Sequence, residues 1–186
     1  MKKNFITSFR FLSTALVAGL FLVAAQSSTA QNAPANTPAK AAEPIYKDFK
    51  TEMVLEAKVN IGSMVNVGES KRGTRRIIPI TGGTFSGPNI KGTVLPMGED
   101  WQLTRPDGAT ELNATYLLKT DDGVVIRINN QVLMGSGAAR SVIDFEAPLN
   151  SPYAYLNKSI FLGTLGMGQP KPGETSYVVI TVYKVL

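Results

Sequence analysis

The sequence predicts an all-β protein, a closed antiparallel barrel of about ten strands. Three observations support this fold class. From Thr51 onward no window keeps helical spacing of apolar residues over three turns, whereas alternating apolar and polar runs recur. Clusters of Gly, Pro, Asp and Asn separate these runs at hairpin distance. A long sheet usually curls until its edges meet, so we favour a barrel over a two-layer sandwich.

The predicted strands follow from the alternation. In the first of them, Met53, Leu55 and Ala57 alternate with Glu52 and Glu56, which is the pattern of a strand buried on one face. The ten predicted strands are residues 51–59, 76–80, 90–95, 101–104, 111–119, 124–128, 132–134, 142–145, 159–165 and 177–185.

Gly and Asp mark the turns between these strands. Pro106-Asp107-Gly108 and Asp121-Asp122-Gly123 are typical of tight hairpins, where Gly accepts a positive φ and Asp bonds to nearby backbone. Gly82-Gly83 predicts a bulge or sharp bend of the barrel rather than a close approach to a ligand. Three further segments complete the pattern: polar loops at 68–73 and 169–173, and a short helical turn at 151–157.

The amino-terminal segment predicts export. Two lysines precede an apolar run at 11–25, and small residues end at Ala30, which is typical of a secretory signal peptide spanning 1–30 and cleaved after Ala30. The run is shorter than the roughly 20 residues that a membrane anchor needs. Residues 31–48 are predicted to be a flexible Ala/Pro-rich leader, and residues 49–186 a single domain. We therefore expect a periplasmic or secreted protein.

The composition excludes several kinds of chemistry. The chain has no Cys and no His, so it has no disulfide, thiolate, Ser–His pair or imidazole metal ligand, and we expect no metal and no cofactor. Signal removal takes three cations and leaves 16 Lys plus Arg against 14 Asp plus Glu, which lowers the net charge from +5 to +2. This balance predicts no nucleic-acid partner and no membrane partner after cleavage. The sequence does not indicate an oligomeric state.

Several motifs form a specific combination: 76–83, Phe85-Ser86-Gly87-Pro88, 98–102, 120–123, Phe145-Glu146 and 153–157. Together they resemble the family called domain of unknown function 3237. The resemblance implies a closed, calycin-like antiparallel barrel and little about a reaction. The chain departs from the family pattern with Met97 in place of Gly, Asn113 in place of Asp and Tyr155 in place of Trp, and its segment 135–144 is short.

Asp100 and Trp101 are the first candidate site residues. As strand neighbours they point to opposite faces, with Trp101 and Leu103 on the apolar side and Asp100 and Gln102 on the other. At a barrel mouth the Trp can stack on a ring while the acid orients a polar group. The alternative is a core Trp and a turn-capping Asp. Arg76 is a further candidate, to pair with a carboxylate or an anionic ligand group, or to lie solvated beside a loop.

The longest predicted strand has two different faces. Glu111 and Asn113 share one face, and Ala114 and Tyr116 share the other. Burial alone sends the apolar face inward, whereas the resemblance implies a cavity lined by the polar face. A larger barrel with a wet pocket reconciles the two, and we favour the cavity. If Asn113 replaces a working carboxylate, acid–base chemistry of the relatives does not carry over.

Two classes of function remain open. The first is an exported barrel that binds a small, partly apolar molecule through Arg76, Asp100, Trp101, Glu111, Asn113 and Tyr116. The alternative is a cofactor-independent isomerase, cyclase or lyase, in which Asp100 or Glu111 takes a proton and Arg76 or Tyr116 stabilises negative charge. A structural envelope protein is the third possibility if the barrel holds no pocket.

Overall fold

The structure is a computed structural model that describes residues 48–135 and 137–186. The predicted signal peptide 1–30 and the predicted leader up to residue 47 lie outside the described residues. Within them the chain forms nine β-strands and one short 3₁₀ helix, Ala154–Lys158. The strands are β1 (Thr51–Ile61), β2 (Val65–Ser70), β3 (Gly73–Ser86), β4 (Lys91–Thr104), β5 (Thr110–Thr120), β6 (Val125–Met134), β7 (Arg140–Glu146), β8 (Phe161–Met167) and β9 (Tyr177–Val185).

The strands form one antiparallel sheet that closes on itself. Their order is β1-β9-β8-β7-β6-β5-β4-β3-β2, and β1 also pairs with β3. The pairing of β1 with β3 closes the sheet into an eight-stranded barrel that contains every strand except β2. Strand β2 pairs with β3 outside this ring. The predicted closed antiparallel barrel is confirmed.

The strand count differs from the prediction for local reasons. Predicted strands 90–95 and 101–104 are one strand, β4, which continues through a bulge. Predicted strands 124–128 and 132–134 are likewise joined in β6. The predicted polar loop 68–73 instead begins inside β2, because its backbone pairs with the start of β3. β2 was not predicted, because it is short and its side chains, including Val65 and Val67, are nearly all exposed.

Gly82 and Gly83 permit the closure of the barrel. They lie where β3 leaves one register with β4 for another, and Gly83 pairs with Val59 of β1. Both glycines have positive φ, 130° and 135°. A Cβ on Gly83 would lie 2.0 Å from the carbonyl oxygen of Lys58, so only glycine lets the two strands approach. The predicted bulge is confirmed.

The predicted turns are also present. Gly108 and Gly123 have φ of 86° and 89°, and each donates its N–H across the hairpin, to the carbonyl oxygens of Arg105 and Thr120 at 3.0 and 2.9 Å. The helical turn predicted at 151–157 is the 3₁₀ helix.

One half of the barrel, here called the packed end, is filled with apolar side chains. The rings of Phe145 and Phe161 meet edge to face with centroids 5.0 Å apart, and Leu156 of the 3₁₀ helix is 1% exposed. Other buried residues of the core include Leu55, Ala57, Phe85, Ile90, Val94, Leu118, Ile126 and Val182. The segment carrying the 3₁₀ helix is fixed by Asn157, whose amide bonds to both the N–H and the C=O of Ala147 at 2.7 and 2.8 Å.

We expect Asn157→Ala to lower the free energy of unfolding by about 1–3 kcal/mol, because it leaves two partly buried backbone groups of Ala147 without partners. Urea denaturation measures this change. Asn89→Ala, in an exposed loop, is the control and should change stability by less than about 0.5 kcal/mol. Equal effects of the two variants would contradict the assigned role of Asn157.

Candidate functional site

The other half of the barrel contains a cavity of about 280 Å³. It lies among the inward faces of the strands, above the packed end. Twelve of the 17 residues that line it are apolar. They are Val59, Ile61, Ile78, Ile80, Leu112, Ala114, Val132, Met134, Leu165, Met167, Val178 and Ile180. The five polar lining residues are Arg76, Asp100, Gln102, Tyr116 and Asn130.

The strand register brings these polar side chains together. Asp100 of β4 and Asn130 of β6 are both direct neighbours of Ala114 on the strand between them. Since adjacent strands are about 4.8 Å apart, their backbones are about 10 Å apart with only a methyl group between. Tyr116, the next inward residue of β5, pairs with Gly98, where a Cβ would lie 2.5 Å from that of Tyr116. Small residues at these two positions therefore leave room for Tyr116 and for the cavity.

A hydrogen-bonded chain runs along one wall of the cavity. Arg76 Nε donates to Gln102 Oε1 at 2.6 Å, and Gln102 Nε2 donates to Asp100 Oδ2 at 2.6 Å. Gln102 is 6% exposed and lies opposite Arg76 in the β3–β4 ladder. The amide thus connects the guanidinium to one oxygen of the carboxylate and leaves the other oxygen unused.

Three polar atoms on the cavity wall are buried and have no hydrogen-bond partner among the described residues: Asp100 Oδ1, the Tyr116 hydroxyl and Asn130 Oδ1. Tyr116 and Asn130 are each 2% exposed. A buried polar atom without a partner costs about 1–3 kcal/mol, and native proteins contain few of them. Three such atoms around one cavity are available to a polar group of a bound molecule.

Burial shifts the pKa values of both Asp100 and Tyr116 upward. Burial raises the pKa of the Asp100 carboxyl above its ordinary value of 3.8, against opposing effects from the Gln102 hydrogen bond, the nearby backbone of Asn113 and the Arg76 charge. Burial also raises the pKa of the Tyr116 hydroxyl above its usual range, and the nearby Asp100 carboxylate adds to this. Tyr116 therefore keeps its proton at any ordinary pH and can donate a hydrogen bond.

Arg76, Asp100 and Tyr116 thus line the cavity, whereas the other three predicted ligand-binding residues lie on the outer surface. Trp101 is 37% exposed, and its Nε1 donates to Glu99 Oε1 at 2.6 Å.

Glu111 and Asn113 are exposed on the outer face of β5, where they border a separate groove of about 450 Å³. Glu111 accepts a hydrogen bond from Arg105 Nη1 at 2.9 Å. The expectation that the polar face of β5 lines the cavity is wrong, because apolar residues on the opposite face, with Tyr116 among them, are buried instead. Whether the outer residues bind a ligand stays untested.

Two polar cavity residues, Gln102 and Asn130, were not predicted. Gln102 shares the polar face of β4 with Asp100 in the sequence pattern, but only Asp100 was predicted to bind a ligand. Asn130 carried a usable signal, since it interrupts the apolar inward face that β6 presents with Ile128 and Val132. A single amide in an otherwise apolar strand face indicates either a paired core group or a lined cavity.

Within the described ranges, no group of three or more His, Cys, Asp or Glu side chains is placed to hold a metal ion. The same residues include no helix long and apolar enough to cross a membrane.

These features define a closed antiparallel β-barrel with an internal, mostly apolar cavity. The chain belongs to the family described as "Protein of unknown function (DUF3237)", whose sequence profile matches residues 49–139. This confirms the resemblance seen in the motifs. A UPF0311 protein of Rhodopseudomonas palustris is 44% identical over 82 residues, 44% of this chain and 54% of that protein. The chain therefore spans about half the length of the curated relatives it matches.

Solved structures extend the similarity over the barrel. A conserved protein of unknown function from Rhodopseudomonas palustris superposes with a TM-score of 0.66 and 32% identity, over 74% of this chain and 98% of that one. A β-barrel-like protein from Acinetobacter baumannii gives a TM-score of 0.64 and 28% identity, over 74% of this chain and 96% of that one. This chain is accordingly a barrel protein of a family without a known function.

The raised pKa of the buried Asp100 carboxyl should make the stability of the protein depend on pH. Folding raises its pKa above 3.8, so the folded state holds this proton more tightly than the unfolded chain does. The resulting stability is complete below the unfolded pKa and is lost as pH rises through the raised pKa. We expect Asp100→Asn to lose less unfolding free energy than wild type as the pH rises above 3.8.

Chemical denaturation across this pH range measures the difference in slope. Asp144→Asn, on the exposed face of β7, is the charge-matched control and should follow the wild-type curve. Parallel curves for wild type and Asp100→Asn would contradict a burial-raised pKa.

Proposed function

We propose that this protein binds a small, mostly apolar molecule inside the barrel, in the cavity lined by Ala114, Tyr116, Asp100 and their neighbours. The observation that carries the proposal is an apolar cavity with one polar cluster whose buried atoms lack partners. Apolar walls supply affinity and a few placed polar groups fix orientation, which is how small-molecule sites are generally built.

The size of the cavity limits the ligand. An apolar cavity of about 150 Å³ in another protein holds benzene, and ligand pockets generally begin at about 300 Å³. A cavity of about 280 Å³ therefore suits one ring with a short substituent, or a short branched chain. The methionines Met134 and Met167 on its wall are exposed, flexible side chains that adapt to the shape of a guest.

Titration with propylbenzene tests the proposal in its simplest form, because this probe needs only apolar contact. We expect saturable binding by calorimetry and shifts of methyl NMR signals at cavity residues such as Ile78 and Val132. Signals from the packed end, such as Ile126, should stay in place. Absence of saturable binding, or shifts confined to other residues, would overturn the proposal.

A second candidate function is cofactor-independent proton transfer, as in an isomerase, cyclase or lyase. It is favoured by the convergence of a carboxylate, an arginine and a tyrosine on one cavity, namely Asp100, Arg76 and Tyr116. Asp100 would remove a proton from carbon, and Tyr116 would donate a hydrogen bond to the developing oxyanion. We assign no role to Glu111 in this reaction, because its side chain is exposed on the outer face of β5.

Hydrogen–deuterium exchange at the carbon beside the carbonyl of 4-phenyl-2-butanone tests this second function. Wild-type protein should accelerate exchange, and Asp100→Asn should slow it by about 10²–10⁴-fold. Glu111→Gln is the control and should exchange like wild type. Equal rates for Asp100→Asn and wild type would exclude Asp100 as the base.

A further inference from the structure

The unpartnered atoms of the cavity specify what a ligand must offer. Asp100 Oδ1 and Asn130 Oδ1 are acceptors, and the Tyr116 hydroxyl brings a proton that has no acceptor among the described residues. Gln102 already bonds to Arg76 through its oxygen and to Asp100 Oδ2 through its nitrogen, and Asp100 Oδ1 stays without a partner among the described residues. A complementary group must therefore donate to a carboxylate or amide oxygen and accept from a phenol.

The charges on the cavity wall balance each other. Arg76 and Asp100 are the two charged residues that line it, and Gln102 connects them. An anionic ligand group would lie beside the Asp100 carboxylate, and a cationic group would add a second positive charge near Arg76. Either would bring an unpaired charge into a mostly apolar cavity, which costs several kcal/mol in general. An uncharged ligand avoids this cost.

Among uncharged groups, a hydroxyl is the smallest that both donates and accepts. A ketone or ether oxygen only accepts, so it satisfies Tyr116 and leaves both acceptor oxygens unpaired. A hydrocarbon satisfies none of the three atoms. The cross-strand register places Asp100 and Asn130 on either side of Ala114, with Tyr116 the next inward residue of β5, so the three unpartnered atoms border the same part of the cavity.

We infer that the natural ligand is an uncharged, mostly apolar alcohol or phenol, whose hydroxyl donates to Asp100 or Asn130 and accepts from Tyr116. This inference rests on the proposed binding function and deepens it by naming the ligand class. The raised pKa values of Asp100 and Tyr116 agree with it, because both groups are buried beside apolar walls, where a hydrogen bond to a hydroxyl is stronger than in water.

Four probes of matched shape test the inference: 4-propylphenol, its methyl ether, propylbenzene and 4-propylbenzoate. By calorimetric titration, wild-type protein should bind the phenol about 10- to 100-fold more tightly than the ether or the hydrocarbon. The benzoate should bind most weakly. Tyr116→Phe should weaken binding of the phenol and of the ether, which both accept from the Tyr116 hydroxyl, and so remove much of the preference of the protein for the phenol over propylbenzene.

Tyr183→Phe is the matched control, since Tyr183 lies on the outer face of β9, and it should keep the full preference. Tyr116→Phe should also fold normally, because the hydroxyl that it removes has no hydrogen-bond partner among the residues that the structure describes. If the ether or hydrocarbon binds as tightly as the phenol, or the benzoate binds most tightly, the ligand class is overturned while cavity binding stands. If none of the four probes binds, the proposed function itself fails.

Discussion

Replacing Ala114 with leucine is expected to abolish ligand binding and to leave the barrel folded. Ala114 lies between Asp100 and Asn130 on the cavity wall, and its methyl group is the small feature that keeps this part of the cavity open. A leucine side chain would occupy the place of the ligand and cover the polar atoms. We expect the dissociation constant of propylbenzene to rise by about 100-fold or more.

The stability of Ala114→Leu shows whether binding is lost because the leucine fills the cavity or because the barrel is destabilised. A side chain that enters an existing cavity gains apolar contacts, so Ala114→Leu should raise the free energy of unfolding or leave it unchanged, within about 0–2 kcal/mol. Ala57→Leu is the matched control, because Ala57 is 1% exposed in the packed end. There the same substitution should cost about 1–3 kcal/mol through overpacking.

Calorimetric titration and urea denaturation of both variants measure these effects. If Ala114→Leu still binds propylbenzene like wild type, the ligand site lies elsewhere, for example in the outer groove beside Glu111. If Ala114→Leu is as destabilised as Ala57→Leu, the half of the barrel around Ala114 is as tightly filled as the packed end, and the cavity does not exist in solution.

The barrel was predictable from the sequence, because the alternation of apolar and polar residues shows directly that each strand has one face to bury. Each strand has one apolar face, and a long antiparallel sheet of such strands protects its edges by closing. What alternation does not report is where a strand continues through a bulge. β4 passes through one between Val94 and Gly98, so two separate predictions, 90–95 and 101–104, describe one strand.

The candidate site was only partly predictable, because periodicity gives the faces of a strand and not which face is inside. For β5, burial of the apolar face gave the correct side. For β4 the same rule failed, since Asp100 and Gln102 point inward and Trp101 points outward. A cavity reverses the burial of apolar faces locally, because polar side chains that line it bond to one another or are free to bond to a ligand. On the outer face, Trp101 donates a hydrogen bond to Glu99.

Substituting alanine for Gly83 is expected to cause the largest loss of stability among the variants considered. Gly83 pairs with Val59 where β1 closes the ring, and its φ is 135°. A Cβ there would lie 2.0 Å from the carbonyl oxygen of Lys58, which is backbone and cannot turn aside. The β1–β3 pairing must open to admit the methyl group, so we expect a loss above about 4 kcal/mol.

Gly82→Ala isolates the steric part of this effect. Gly82 has nearly the same φ, 130°, but the nearest atom to a Cβ there, the Val94 carbonyl oxygen, is 3.7 Å away. Gly82→Ala should therefore cost only the conformational strain of a positive φ, about 1–3 kcal/mol. Urea denaturation compares the two variants. Losses of similar size would mean that the strain of a positive φ alone requires glycine at both positions. A much larger loss for Gly83→Ala would show that the close approach of β1 and β3 requires glycine there. This pairing closes the barrel and therefore fixes the register of the strands that form the cavity wall.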